Sequence, residues 1–92
     1  MSRPTPPSDR VLARRRELGD QIRRVREHHN LTQQAVCDRS GLDVATYSRI
    51  EQGHASPRFD TLVRIADAIG VGEVDLMPDP AAGAGEHPAA GR

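Results

Sequence analysis

The chain has 92 residues, of which 36% are apolar, with Tyr47 and Phe59 as its only aromatics and a net charge of zero. That suffices for one small domain with a modest helical core, and it argues against a deep substrate cavity and so against an enzyme. The charge is uneven: residues 1–30 hold eight Arg against four acids, a balance of +4, while residues 60–92 hold two Arg against six acids, a balance of −4. Such a pattern can present a basic face to phosphate, or it can be a solvated surface with no partner.

Residues 1–8 include Pro4, Pro6 and Pro7 and read as a disordered arm. A first helix follows, with Ser8 as its N-cap and Asp9 in its first turn. Val11, Leu18, Ile22 and Val25 recur at helical spacing and predict its buried face. Arg14, Arg15, Arg23 and Arg24 lie off that stripe. Gly19 within it costs about 1 kcal/mol relative to Ala. Asn30 supplies a left-handed stop.

The second helix is predicted from Gln33 to about Ser40, with Thr32 as N-cap and Ala35, Val36 and Cys37 facing inward. Gly41 can take the left-handed turn that follows. Asp43 caps a third helix over 44–52, closed by Gly53. A short helix, a glycine turn and a second short helix outline a helix-turn-helix, whose second helix is shaped to enter the major groove of DNA.

Ser56-Pro57 separates the third helix from a fourth over about 59–69. Leu62, Ile65, Ala66 and Ile69 form its apolar stripe, and Gly70 stops it. Residues 74–77 make a last short turn. Residues 78–92 contain five Ala, three Gly and three Pro, and read as a flexible tail. The predicted fold is all-α, five short helices over 9–77 between two tails.

The run QQAVCDRSGLDVATYSRIEQGHASPRFDTLVRIADAIGV resembles the lambda repressor/Cro-like, or XRE-type, DNA-binding domains. The resemblance covers roughly residues 17–77. It is carried by Gln33 opening the second helix, Cys37 at the interhelix contact and Gly41 at the turn. Thr46, Tyr47 and Ser48 then lead into Ile50, Glu51 and Gly53, followed by Pro57 and by Ile69, Gly70 and Val71. Two positions depart from the family pattern. Cys37 stands where Ala is commoner and acts as a small hydrophobe. Tyr47 stands where an aliphatic residue is commoner, and its hydroxyl is expected at the edge of the core, near phosphate.

On a helical wheel, Thr46, Tyr47 and Ile50 pack inward, leaving Val44, Ala45, Ser48, Arg49 and Gln52 outside. A recognition helix leads with its N-terminal residues, so Val44, Ala45 and Arg49 are expected at base edges. Arg49 can pair with guanine O6 and N7, and Val44 and Ala45 can touch a thymine methyl. The alternatives are a solvated arginine and first-turn packing. The resemblance implies that Gln33, at the unpaired N–H groups of its helix, binds phosphate. Ser48 and Gln52 join it at the backbone or groove. Arg58 and His54 either reach phosphate or are plain loop polarity. The resemblance also implies an ion pair between Arg26 and Glu51 that aims the third helix.

His28 and His29 are adjacent on a helix and point about 100° apart, so they do not converge on one metal. Cys37 has no partner for a disulfide and no evident base. No cofactor is expected. No apolar stretch suits a signal peptide or a membrane span, so a cytoplasmic location is expected. The function expected is that of a sequence-specific DNA-binding transcriptional regulator. The resemblance adds a repressor acting as a homodimer on an inverted repeat, with Val74, Leu76 and Met77 as candidate dimer surface. The rivals are an antitoxin that regulates its own operon, with a protein partner held by the tail, and a protein-interaction module on the same fold.

Overall fold

Three of the four α-helices begin where a side chain can accept from an unpaired backbone N–H. In the computed structural model, which describes residues 5–80, Ser8 accepts from the Val11 N–H at 3.1 Å and opens α1, Asp9–His28. Thr32 accepts from the Ala35 N–H at 3.0 Å and opens α2, Gln33–Ser40. Asp43 accepts from the Thr46 N–H at 2.7 Å and opens α3, Val44–Glu51. The helix α4, Phe59–Ile69, starts at Arg58 without a side-chain cap. A 3-10 turn, Glu73–Leu76, completes the described residues. The fold is therefore all-α, with four α-helices and this turn among the described residues, and no strand. The arm expected over 1–8 falls partly, and the tail expected over 78–92 mostly, outside the described residues.

Helix ends follow the same local logic. Asn30 adopts φ +58°, ending the region after α1 in the left-handed conformation an asparagine tolerates. Gly41 caps α2 at φ +80°, where a side chain would be strained, and its N–H returns to the Cys37 carbonyl at 2.9 Å. This is the turn between the two helices of the motif.

The core is where the inner faces of all five elements meet. Ile22, Val36, Tyr47, Ile65 and Leu76 are wholly buried, with Ile50, Leu62, Ala66 and Ile69 around them. Leu18 and Val25 pack against the edge of this cluster. Val11 does not: it is 44% exposed, contrary to the stripe read from the sequence. It lines an open groove with Ser56, Met77 and Pro78 in place of a packed contact. Leu76, expected on an outer surface, is fully buried instead, whereas Val74 and Met77 beside it are exposed. In a 3-10 turn, residues two apart point in different directions, so the three cannot share one outward patch.

Gly19 has a role that propensity does not reveal. A Cβ built on it would lie 2.4 Å from the Glu51 carbonyl oxygen and 2.5 Å from that of Ile50. The end of α3 rests directly on α1 there, which only glycine allows. Two arginines then tie α2 to α4. Arg64 donates to the Ser40 carbonyl at 3.1 Å through Nε and 2.7 Å through Nη2, and Arg39 donates to the Ala68 carbonyl at 3.1 Å. Each satisfies a carbonyl in a helix's last turn.

Candidate nucleic-acid interface

The third helix has two faces with opposite chemistry. On the inner face, Tyr47, Ile50 and Glu51 are buried. Glu51 is 6% exposed and would be costly to bury alone. It is instead surrounded by donors. Arg26 gives it two parallel bonds, Nε to Oε2 at 2.7 Å and Nη2 to Oε1 at 3.0 Å. Gln33 donates to Oε1 at 2.9 Å, and the Tyr47 hydroxyl donates to Oε2. Arg26 Nη1 also donates to the Leu31 carbonyl at 2.8 Å. One carboxylate thus joins α1, α2 and α3.

The charges respond accordingly. Burial pushes the Glu51 carboxyl up, but the bonds from Arg26, Tyr47 and Gln33 outweigh it and hold the group below the usual glutamate range. The bond to Glu51 raises Arg26 further against its own desolvation. Burial, then the bond to Glu51, pushes the Tyr47 phenol well above its ordinary value. Burial also raises the Cys37 thiol, which keeps it protonated and poorly nucleophilic.

Tyr47 therefore corrects the sequence reading. Its ring is inside as expected, but its hydroxyl is not at the edge near phosphate; the residue is 0% exposed. Glu51 lies four residues on, one turn away, and supplies the acceptor a buried hydroxyl requires. Thr46 is a second correction. It was expected inside and is exposed. It sits in the first turn of α3, where its backbone and side chain serve Asp43, and the bond from its hydroxyl, then that from its N–H, lowers the Asp43 carboxyl.

The outer face is open. Val44 is 39% exposed, Ala45 and Arg49 are exposed, and Ser48 is half-buried. Gln52 is exposed and donates to the Ser48 hydroxyl at 3.1 Å. The Arg49 guanidinium makes no hydrogen bond or ion pair among the described residues. Its backbone carbonyl accepts from the His54 N–H at 2.9 Å, which fixes the turn after α3 and leaves the His54 side chain exposed. Arg58 is exposed and likewise unpaired among the described residues.

Gln33 stands at the exposed N-terminus of α2, close to the end of α3, with its side-chain amide held by Glu51. Arg16 and Arg23 of α1 line the same cleft as Gln33, Gln52 and His54. A helical wheel drawn for one helix cannot show which residues of another lie beside it.

Two short helices around a left-handed glycine, the second with a fixed inner face and a free outer one, define a helix-turn-helix DNA-binding domain of XRE type. The chain belongs to the HTH_3 helix-turn-helix family, whose model matches residues 22–76. It is 36% identical over 63 residues to the uncharacterized HTH-type transcriptional regulator y4dJ of Sinorhizobium fredii, covering 68% of this chain and 82% of that protein. Its fold is shared with the restriction-modification controller protein C.AhdI of Aeromonas hydrophila, at a TM-score of 0.69 and 23% identity over 71% of this chain and 98% of that one. The clp gene regulator ClgR of C. glutamicum matches at a TM-score of 0.64 and 22% identity, over 67% of this chain and 80% of its own. No helix of the described residues is long and apolar enough to cross a membrane.

Proposed function

We propose that the protein is a sequence-specific transcriptional regulator that reads the major groove with the outer face of α3. The observation that carries this reading is the contrast at Arg49. Its guanidinium is exposed and unpaired while the inner face of its helix is tied to α1 and α2 through Glu51. A guanidinium on a fixed helix can present its fork to guanine O6 and N7, with Val44 and Ala45 on a neighbouring thymine methyl. Gln33, Ser48, Gln52, His54 and Arg58 then serve the phosphates or the groove edge. The Arg26–Glu51 pair sets the angle of α3 without touching bases.

The protein acts as a homodimer on an inverted repeat, with half-sites about one helical turn apart. Val74, at 74% exposure, and Met77, at 48%, offer apolar area for the dimer contact. Repression follows where the occupied repeat overlaps a promoter and excludes polymerase. Two of the proteins it is similar to bear regulator names, y4dJ as a transcriptional regulator and ClgR as a gene regulator, which supports this class of function.

Selection from random duplex DNA at stated salt tests the reading. The expected product is a palindrome with G and T in each half, bound by two copies. Recovery of unselected DNA, with only weak salt-sensitive binding, would overturn it.

A further inference from the structure

A second basic surface adjoins the recognition helix. An open cleft between α1 and the end of α3 is lined by Arg16, Asp20, Arg23, Gln33, Gln52 and His54. Arg26 and Glu51 also line it, and their charges cancel within the pair. Arg16 and Arg23 are the other guanidinium groups of this surface. The first is exposed and makes no hydrogen bond or ion pair among the described residues. The second leans on Asp20 at 3.5 Å, with both side chains 51% exposed. A contact of that length in solvent holds little energy and yields readily to a better acceptor.

The cleft is positioned by backbone packing that does not involve the guanidinium groups. A Cβ on Gly53 would lie 2.8 Å from the Arg16 Cα, so the connection after α3 rests directly on α1 at that residue. Arg16 therefore projects from a base fixed relative to the recognition helix. None of its donors is needed to hold the fold.

We propose that this cleft is a DNA phosphate site, in which Arg16 and Arg23 of α1 grip the duplex backbone beside the half-site that α3 reads. The proposal rests on the reading of α3 as the recognition helix. The backbone of a duplex fits better than a free anion for two reasons. The cleft is open, with Arg16 and the weakly held Arg23 on one wall, and does not enclose a small ion. It is also continuous with Gln33 at the α2 N-terminus and with Gln52 just after α3, both assigned above to the phosphates or the groove edge. The site explains how a chain of zero net charge attracts DNA: α1 supplies the local positive field. Asp20 opposes that field and competes for Arg23.

The test is fluorescence anisotropy on a selected and a scrambled duplex, at salt from roughly 50 to 200 mM, with melting measured in parallel. The Arg16→Gln/Arg23→Gln double variant should keep the wild-type melting temperature. Its slope of log K against log salt should fall in magnitude by about 2, close to one per cation removed. Affinity should drop equally for both duplexes, with base preference intact. Asp20→Asn, which removes charge without touching the core, should bind both duplexes more tightly. A neutral methylphosphonate at one linkage flanking the half-site should erase the difference between wild type and the double variant. An unchanged slope in the double variant, or a loss confined to the selected duplex, would overturn the proposal. Failure of the wild type to select any site would instead overturn the reading of α3, and the slope on scrambled duplex would still report on the cleft.

Discussion

Arg26 and Arg49 carry the same guanidinium and have opposite surroundings. Arg26 is 8% exposed, and its donors reach Glu51 twice and the Leu31 carbonyl once. Arg49 is exposed on the far side of α3 with its donors unengaged among the described residues. The difference teaches how eight residues serve two purposes. The inner face of α3 fixes the position of the helix, and the outer face is left free for a partner. Changes on the inner face should therefore act on stability, and changes on the outer face on recognition.

The largest effect should come from breaking the inner network. Arg26→Ala leaves the Glu51 carboxylate buried without its main partner, which costs about 3–5 kcal/mol in comparable pairs. Urea unfolding of the variant should show that loss, and a change below 1 kcal/mol would mean the network is not structural. The same carboxylate sets a pH dependence. Its folded value lies below the ordinary one, so its contribution is complete above about pH 4.3 and is lost as the pH falls through the lowered value. In Glu51→Gln, the stability deficit against wild type should shrink on acidification through that range. A deficit that stays constant with pH would remove Glu51 from the account.

Gly19→Ala is next. The added Cβ meets two backbone carbonyls, which cannot rotate away, and overpacking of this kind costs about 1–3 kcal/mol. Helix propensity alone predicts the opposite sign, a gain of about 1 kcal/mol. The direction of the change in melting temperature decides between them. Asp43→Ala removes the N-cap of α3 and should cost about 1 kcal/mol. Arg49→Ala should have the smallest effect on stability, within about 0.5 kcal/mol.

What the sequence made legible was mostly local. Ser8, Thr32 and Asp43 cap helices because each is a short polar side chain just before an apolar period. Asn30, Gly41 and Gly70 end elements because they tolerate a positive φ. The stripe of α4 survived intact because Leu62, Ile65, Ala66 and Ile69 all face the core. The features the sequence hid depend on a second element. Gly19 reads as a weak point in α1 until α3 is laid across it. Thr46 and Tyr47 differ from expectation because Asp43 claims one and Glu51 the other. Val11 falls outside the core because it lines an open groove beside Ser56, Met77 and Pro78. Arg39 and Arg64 look like surface charge, and nothing local marks the helix ends they bond to. At the candidate interface, the exposure of Val44, Ala45 and Arg49 on α3 was legible from one wheel, while the cleft lined by Arg16 and Arg23 needed the placement of α1 beside it.

The central claim is that the outer face of α3 recognises bases while the inner face only positions it. A double-mutant cycle on the selected site tests this most directly, pairing Arg49→Ala with replacement of the half-site guanine by 7-deazaguanine, which lacks the N7 acceptor. The account predicts that each change alone weakens binding, by about 1–3 kcal/mol for Arg49→Ala. The two together should weaken it scarcely more than either, with melting of the free protein unchanged. Fully additive losses, or a variant that binds the selected site as tightly as wild type, would contradict it.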